Sequence, residues 1–141
     1  MKKNWKIITG VLVVMMLVGF NRFLDDVATG QGPGYKSISA QKGLQIVETE
    51  KDVLMLDVRT PQEFTGPLGH IDGAKLIPVQ ELANRLKEIA QYKDKKVVLV
   101  CHSGRRSKIA GNILVQNGFK NVMEIETGMV GVRKLQTATV N

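Results

Sequence analysis

Two unbroken apolar runs constrain this chain more than any other feature. Asp52 to Val58 reads DVLMLDV, and Lys96 to Cys101 reads KVVLVC. Neither alternates, as a strand with one wet face would. Runs this short, rich in Val and Leu, suit strands buried on both faces. Around them the period changes. Val79, Leu82, Leu86 and Ile89 recur at three-to-four spacing and predict a helix from Val79 to Tyr92. Ser39 caps a short helix running through Gln45, and Thr60 caps a helical turn opened by Pro61. Ser107 to Gln116 reads as a helix stopped by Gly118. Ala74 to Ile77 and Asn121 to Ile125 read as further strands, and Met129 to Gln136 as a closing helix. Strands alternating with helices predict the α/β class, a parallel sheet covered on both faces.

The first residues follow another pattern. Lys2, Lys3 and Lys6 precede an apolar stretch from Ile7 to Phe20, broken only by Thr9, Gly10 and Gly19. Its fourteen residues fall short of the about 20 that cross a bilayer, and match the core of a signal peptide. With Trp5, Phe23 and Leu24 drawn in and Arg22 snorkelling, the same stretch serves as an uncleaved anchor. Residues 1–29 are therefore expected to be a signal peptide or membrane anchor. The positive flank stays cytoplasmic, which puts the rest of the chain on the extracytoplasmic side. Residues 30–34, Gly-Gln-Gly-Pro-Gly, form a linker by composition, and residues 35–141 are left as the folded domain.

Charge narrows the partners. From Tyr35 onward there are 16 basic and 11 acidic residues, a net charge of +5, which favours anionic partners in general. Nucleic acid fits poorly. Aromatic residues make up 5% of the chain, and no run of Lys and Arg exceeds two. A single cysteine excludes an internal disulfide framework. With the two histidines thirty-two positions apart, no metal site is expected and no cofactor is implied.

That cysteine closes the KVVLVC strand, and strand carboxyl ends are where open parallel sheets bind ligands. His102, Ser103, Gly104, Arg105, Arg106 and Ser107 follow it. Such a stretch can curl so that its backbone amides point inward, with Gly104 supplying conformational freedom and a helix start adding partial positive charge. Two arginines add full charges. A loop of this kind favours thiolate over thiol and stabilises charge developing during group transfer.

Cys101-His102-Ser103-Gly104-Arg105-Arg106-Ser107 resembles the C-x-x-G-x-R-S/T active loop of the rhodanese-like sulfurtransferase family. Leu56-Asp57-Val58-Arg59, Glu63-Phe64, Gly69-His70-Ile71-Asp72-Gly73-Ala74 and Gly118-Phe119-Lys120-Asn121-Val122 resemble four further family segments, in the family's order. The resemblance implies a three-layer fold with a five-stranded parallel sheet between helices. It implies that Cys101 accepts a sulfane sulfur from a small anionic donor such as thiosulfate and carries it as a persulfide to a thiophilic acceptor. That acceptor is a thiol or other small molecule, or a thioredoxin-like reductant. Arg106 and the loop amides then hold the donor's anionic end, Arg105 sets the potential at the entrance, and Ser107 caps the following helix. Asp57, Arg59 and Glu63 become structural support, with Glu63 as the partner of Arg59, and His70 satisfies backbone groups of its turn. Many family members carry a basic residue at the position of His102, whose side chain supplies that charge only in part near neutral pH.

One departure stands out. Family members often carry G-G-x-x-x-W before the last helix, where this chain has Thr127-Gly128-Met129-Val130-Gly131-Val132. The residues leave two other functions open. One is a sulfur-carrying or thiol-sensing module that presents Cys101 to a partner protein. The other is a cysteine phosphatase or arsenate reductase, disfavoured because only four residues separate Cys101 from Arg106 where those enzymes place five.

Overall fold

A computed structural model describes residues 34–139. The expected leader and all but the last residue of the expected linker lie outside the described residues. Among the described residues, no helix is long and apolar enough to cross a membrane.

The chain runs β1 (Tyr35–Ile38), α1 (Ala40–Thr49), β2 (Leu54–Asp57), α2 (Pro61–Phe64), β3 (Lys75–Leu76), α3 (Val79–Leu82), a 3-10 helix (Leu86–Tyr92), β4 (Lys96–Val100), α4 (Arg105–Gln116), β5 (Asn121–Ile125) and α5 (Gly128–Ala138). Every strand pair is parallel, in the order β1-β5-β4-β2-β3. The two unbroken apolar runs become β2 and β4, which lie side by side with Leu56 opposite Leu99. Successive side chains point to opposite faces. Leu54, Leu56, Val97 and Leu99 therefore pack on one side with Leu82, Ile89, Ala110 and Leu114, while Met55, Val98 and Val100 pack on the other with Ile46, Met129 and Val132. The sheet is thus sandwiched, with α4 and the 3-10 helix on one face and α1 and α5 on the other.

Three features differ from the sequence expectation. The expected helix from Val79 to Tyr92 breaks into α3 and the 3-10 helix. Its apolar positions explain the second half: Leu86, Ile89 and Tyr92 recur every third residue, the period of a 3-10 helix. Arg85 holds the junction, bonding Glu81 at 2.8 Å and Glu88 at 2.6 Å. The first helix runs past Gln45 to Thr49, with Ser39 Oγ accepting the Lys42 amide at 3.2 Å. The fifth strand, β1, is an edge strand of four residues whose pattern the sequence reading does not resolve.

The β1–β5 junction buries a carboxylate. Ser37 Oγ donates to Glu124 Oε1 at 2.5 Å, and Glu124 Oε2 has no partner among the described residues. Burial pushes the Glu124 carboxyl above its ordinary range, against the pull of Ser37 and Lys108.

Candidate active site

β4 ends at Val100, and Cys101 follows with 1% of its surface exposed. The chain then turns sharply, and α4 starts at Arg105. Gly104 makes that turn possible with φ 95°, and a Cβ there would lie 2.0 Å from Glu126 O. No side chain fits either constraint. The turn brings the Gly104 amide to 3.1 Å from Cys101 Sγ, so the sulfur faces a backbone donor at the positive end of a twelve-residue helix.

Ser107 does not cap α4. The helix begins two residues before it, so Ser107 is not the cap but the third residue inside α4. It is fully buried, and its Oγ has no hydrogen-bond partner among the described residues. The cap position is Gly104, which has no side chain to offer.

A second helix N-terminus fixes the other side of the loop. In α5, the Met129 amide donates to Cys101 O at 2.8 Å and the Val130 amide to His102 O at 3.1 Å. Gly128 lies so close that a Cβ would meet those same carbonyls at 2.6 and 2.5 Å. In a trans peptide the carbonyl and the following N–H point in opposite directions. Pinning the Cys101 and His102 carbonyls onto α5 therefore turns the His102 and Ser103 amides away from it. Backbone amides have no letter in a sequence, so the sequence reading misses this contact. Its trace is the Thr127–Val132 stretch that departs from the family pattern.

The charged residues pair differently from the expectation. Arg59 does not pair with the Glu63 side chain. Its guanidinium grips Asp57, with Nη2 to Oδ2 at 2.7 Å, and both side chains are fully buried. Its remaining donors reach the backbone carbonyls of Glu63 at 3.1 Å and Gly69 at 2.7 Å. Arg59 thereby ties the end of β2 to α2 and to the turn beyond. The Glu63 carboxylate instead takes both terminal nitrogens of Arg106, at 2.7 and 2.5 Å. It also accepts the Thr60 amide at 3.1 Å, closing a capping box on α2. Chiefly through Arg106, the Glu63 carboxyl is held down at about 2. Any anion that reaches Arg106 has to share or displace this carboxylate.

His102 is exposed, with Nδ1 3.7 Å from Glu63 Oε1, so a cationic imidazole there extends the pair into a three-residue cluster at the mouth. Ser103 and Arg105 are exposed beside it. His70 is not at the mouth. Its Nδ1 lies 3.1 Å from Phe64 O, and its ring stacks on Phe64 with centroids 3.9 Å apart. It lines a cleft of about 580 Å³ with Glu48, Asp72 and Arg133 that includes no residue of the 101–107 loop. Among the described residues, no group of three or more acidic, His or Cys side chains is placed to hold a metal ion.

The family description "Rhodanese-like domain" matches residues 39–135, which takes in the loop, both arginines and the α5 clamp. The chain belongs to the rhodanese-like family. Over 86 residues, the rhodanese-like domain is 37% identical to a protein of Allochromatium vinosum named sulfurtransferase, a match covering 61% of this chain and 76% of that one. Over 92 residues it is 34% identical to a Bacillus subtilis (strain 168) protein named putative sulfur carrier protein, covering 65% of this chain. The match spans about half, 48%, of that relative's length. Among solved structures, a rhodanese-like domain protein from Staphylococcus aureus superposes with a TM-score of 0.58 at 30% identity, covering 69% of this chain and 90% of that one.

Proposed function

We propose that this rhodanese-like protein is a sulfurtransferase whose Cys101 carries the transferred sulfur. The observation that carries the reading is the 3.1 Å contact from the Gly104 amide to Cys101 Sγ at the start of α4. In the first half-reaction the Cys101 thiolate attacks the outer sulfur of thiosulfate. The donor's S–S bond breaks and sulfite leaves with the electron pair, so Cys101 becomes a persulfide. In the second, a nucleophilic acceptor takes the terminal sulfur and the Cys101 thiolate is restored. No water reacts, and no metal or cofactor is needed. Arg105, exposed on the loop, lends positive potential to the approach of the anion.

A second reading is a sulfur carrier that hands its persulfide to a partner protein. The Glu63–Arg106 pair favours it, because a small dianion finds both terminal nitrogens of Arg106 already engaged. The relative named putative sulfur carrier protein lends it support. A thioredoxin-like reductant is the acceptor that best suits an exported thiol, since it keeps Cys101 out of mixed disulfides. From the basic and apolar leader, we infer that the domain lies outside the cytoplasm, secreted or anchored.

The test uses the full chain, reduced and mixed with thiosulfate. Intact mass and peptide mapping follow the addition of one sulfur atom at Cys101, with Cys101→Ser as control. A persulfide that cyanide or a thiol discharges supports the sulfurtransferase. A thiol that iodoacetamide alkylates but that never takes sulfur from thiosulfate sinks this reading and leaves the carrier.

A further inference from the structure

Thr127 and Gly131 stand one helical turn apart at the start of α5 and claim the same space. A Cβ on residue 131 would lie 1.8 Å from Thr127 Oγ1 and 2.4 Å from Thr127 Cβ. Because the second contact is to Cβ itself, rotating the threonine side chain does not relieve it, and backbone has to move. That backbone belongs to the turn that shapes the Cys101 loop. Gly131 N bonds Thr127 O at 3.2 Å, and between the two lie Gly128, wedged against the loop carbonyls, and the Met129 and Val130 amides that pin them. A groove of about 390 Å³ lined by Ala40, Thr127, Gly131 and Leu135 opens beside the pair and gives the turn room to yield without unfolding.

We propose that Gly131 is a positioning residue for Cys101, matched to Thr127 and acting through the first turn of α5. The pair takes the place of the family's first glycine and leaves the clamp on the loop carbonyls intact. The inference rests on the reading of Cys101 as the reacting thiol and adds what sets the loop around it. The charged residues on and against the loop, Arg105, Arg106, His102, Glu63, Asp57 and Glu126, are changed by neither substitution below.

The test compares full-length wild type, Gly131→Ala, Thr127→Gly/Gly131→Ala and Ile89→Val, the last a core truncation in the 3-10 helix. Two quantities are read on each: the rate of iodoacetamide alkylation of Cys101 against pH, and sulfur loading from thiosulfate. Gly131→Ala moves the alkylation profile to higher pH, and at pH values below the midpoint each pH unit of rise slows alkylation about tenfold. The double variant returns the profile to that of wild type. Ile89→Val lowers the melting temperature and leaves the profile in place, which separates positioning from stability. An unmoved profile in Gly131→Ala overturns the proposal, and so does a double variant that fails to recover. If Gly131→Ala does not fold, the double variant decides alone, since the proposal requires it to fold with the wild-type profile. Should wild type never accept sulfur, the sulfurtransferase reading falls, while the alkylation profiles still test the role of Gly131.

Discussion

Glu63 Oε2 receives both the Thr60 amide and Arg106 Nη1, so one carboxylate caps a helix and engages an arginine of the Cys101 loop. Replacing it by glutamine separates the two roles. Glu63→Gln keeps an acceptor for the cap but loses the charge that holds Arg106. We expect a cost of about 1.5 kcal/mol, the scale of hydrogen bonds to charged groups, read as a lowered melting temperature. We also expect the KM for thiosulfate to fall, because the freed guanidinium can meet the anion. A rise in KM instead shows that Arg106 serves only when held by Glu63. The loop glycine leaves less latitude. Gly104→Ala combines a left-handed backbone with a 2.0 Å clash against Glu126 O. It should abolish sulfur loading and lower the melting temperature, read by intact mass and thermal unfolding.

Among the elements, the buried pair at the end of β2 has the largest effect. Arg59→Ala strands a fully buried Asp57 carboxylate and frees the backbone carbonyls of Glu63 and Gly69. Such a change costs about 3–5 kcal/mol, and urea unfolding of the full chain checks it. In α5 the family's tryptophan position holds Val132, fully buried among Ile46, Val98 and Val100. Restoring the larger residue does not restore a better core. Val132→Trp overpacks this site by about 1–3 kcal/mol, measurable by the same unfolding. The elements also show what the sequence could reveal. DVLMLDV and KVVLVC are readable because burial on both faces leaves no polar position. The loop is readable because a lone cysteine stands at a strand end before a glycine and a helix. β1 is not, since four residues at a sheet edge carry too little pattern. The Arg106–Glu63 pair is not, because two arginines compete for the acids and only packing decides. Ser107 misleads because a glycine in the left-handed region can start a helix without a side-chain cap.

Across the molecule, two carboxylates give the pH dependence of stability opposite signs. Glu63, lowered from 4.5 to about 2 chiefly by Arg106, contributes stability that is complete above about 4.5 and lost as pH falls toward 2. Glu124, raised by burial, favours the protonated folded state, so its contribution is present at low pH and lost as pH rises through its folded value. The stability of Glu124→Gln relative to wild type should therefore improve between pH 4 and pH 8. That of Glu63→Gln should worsen between about pH 2 and pH 4.5 and stay level above it, and melting temperatures of both against pH decide it. The net charge of +5 from Tyr35 onward acts on approach as well as on stability. Raising ionic strength from about 0.05 to about 0.5 M shortens the Debye length to about a third and should slow thiosulfate loading severalfold. Stopped-flow mixing measures it.

The pairing of β1 with β5 also decides when the fold can be completed. Ser37 and Glu124 meet across 87 positions of chain, and Tyr35 finds Val122 only after β2, β4 and α4 have been laid down. A parallel edge strand has no hairpin to bring its partner close, so it pays the entropy of the largest loop in the sheet. β1 is thus expected to join last on folding and leave first, and native-state hydrogen exchange of the β1 amides checks it. As the polypeptide is synthesised, the first strand of the described residues waits for the last of them.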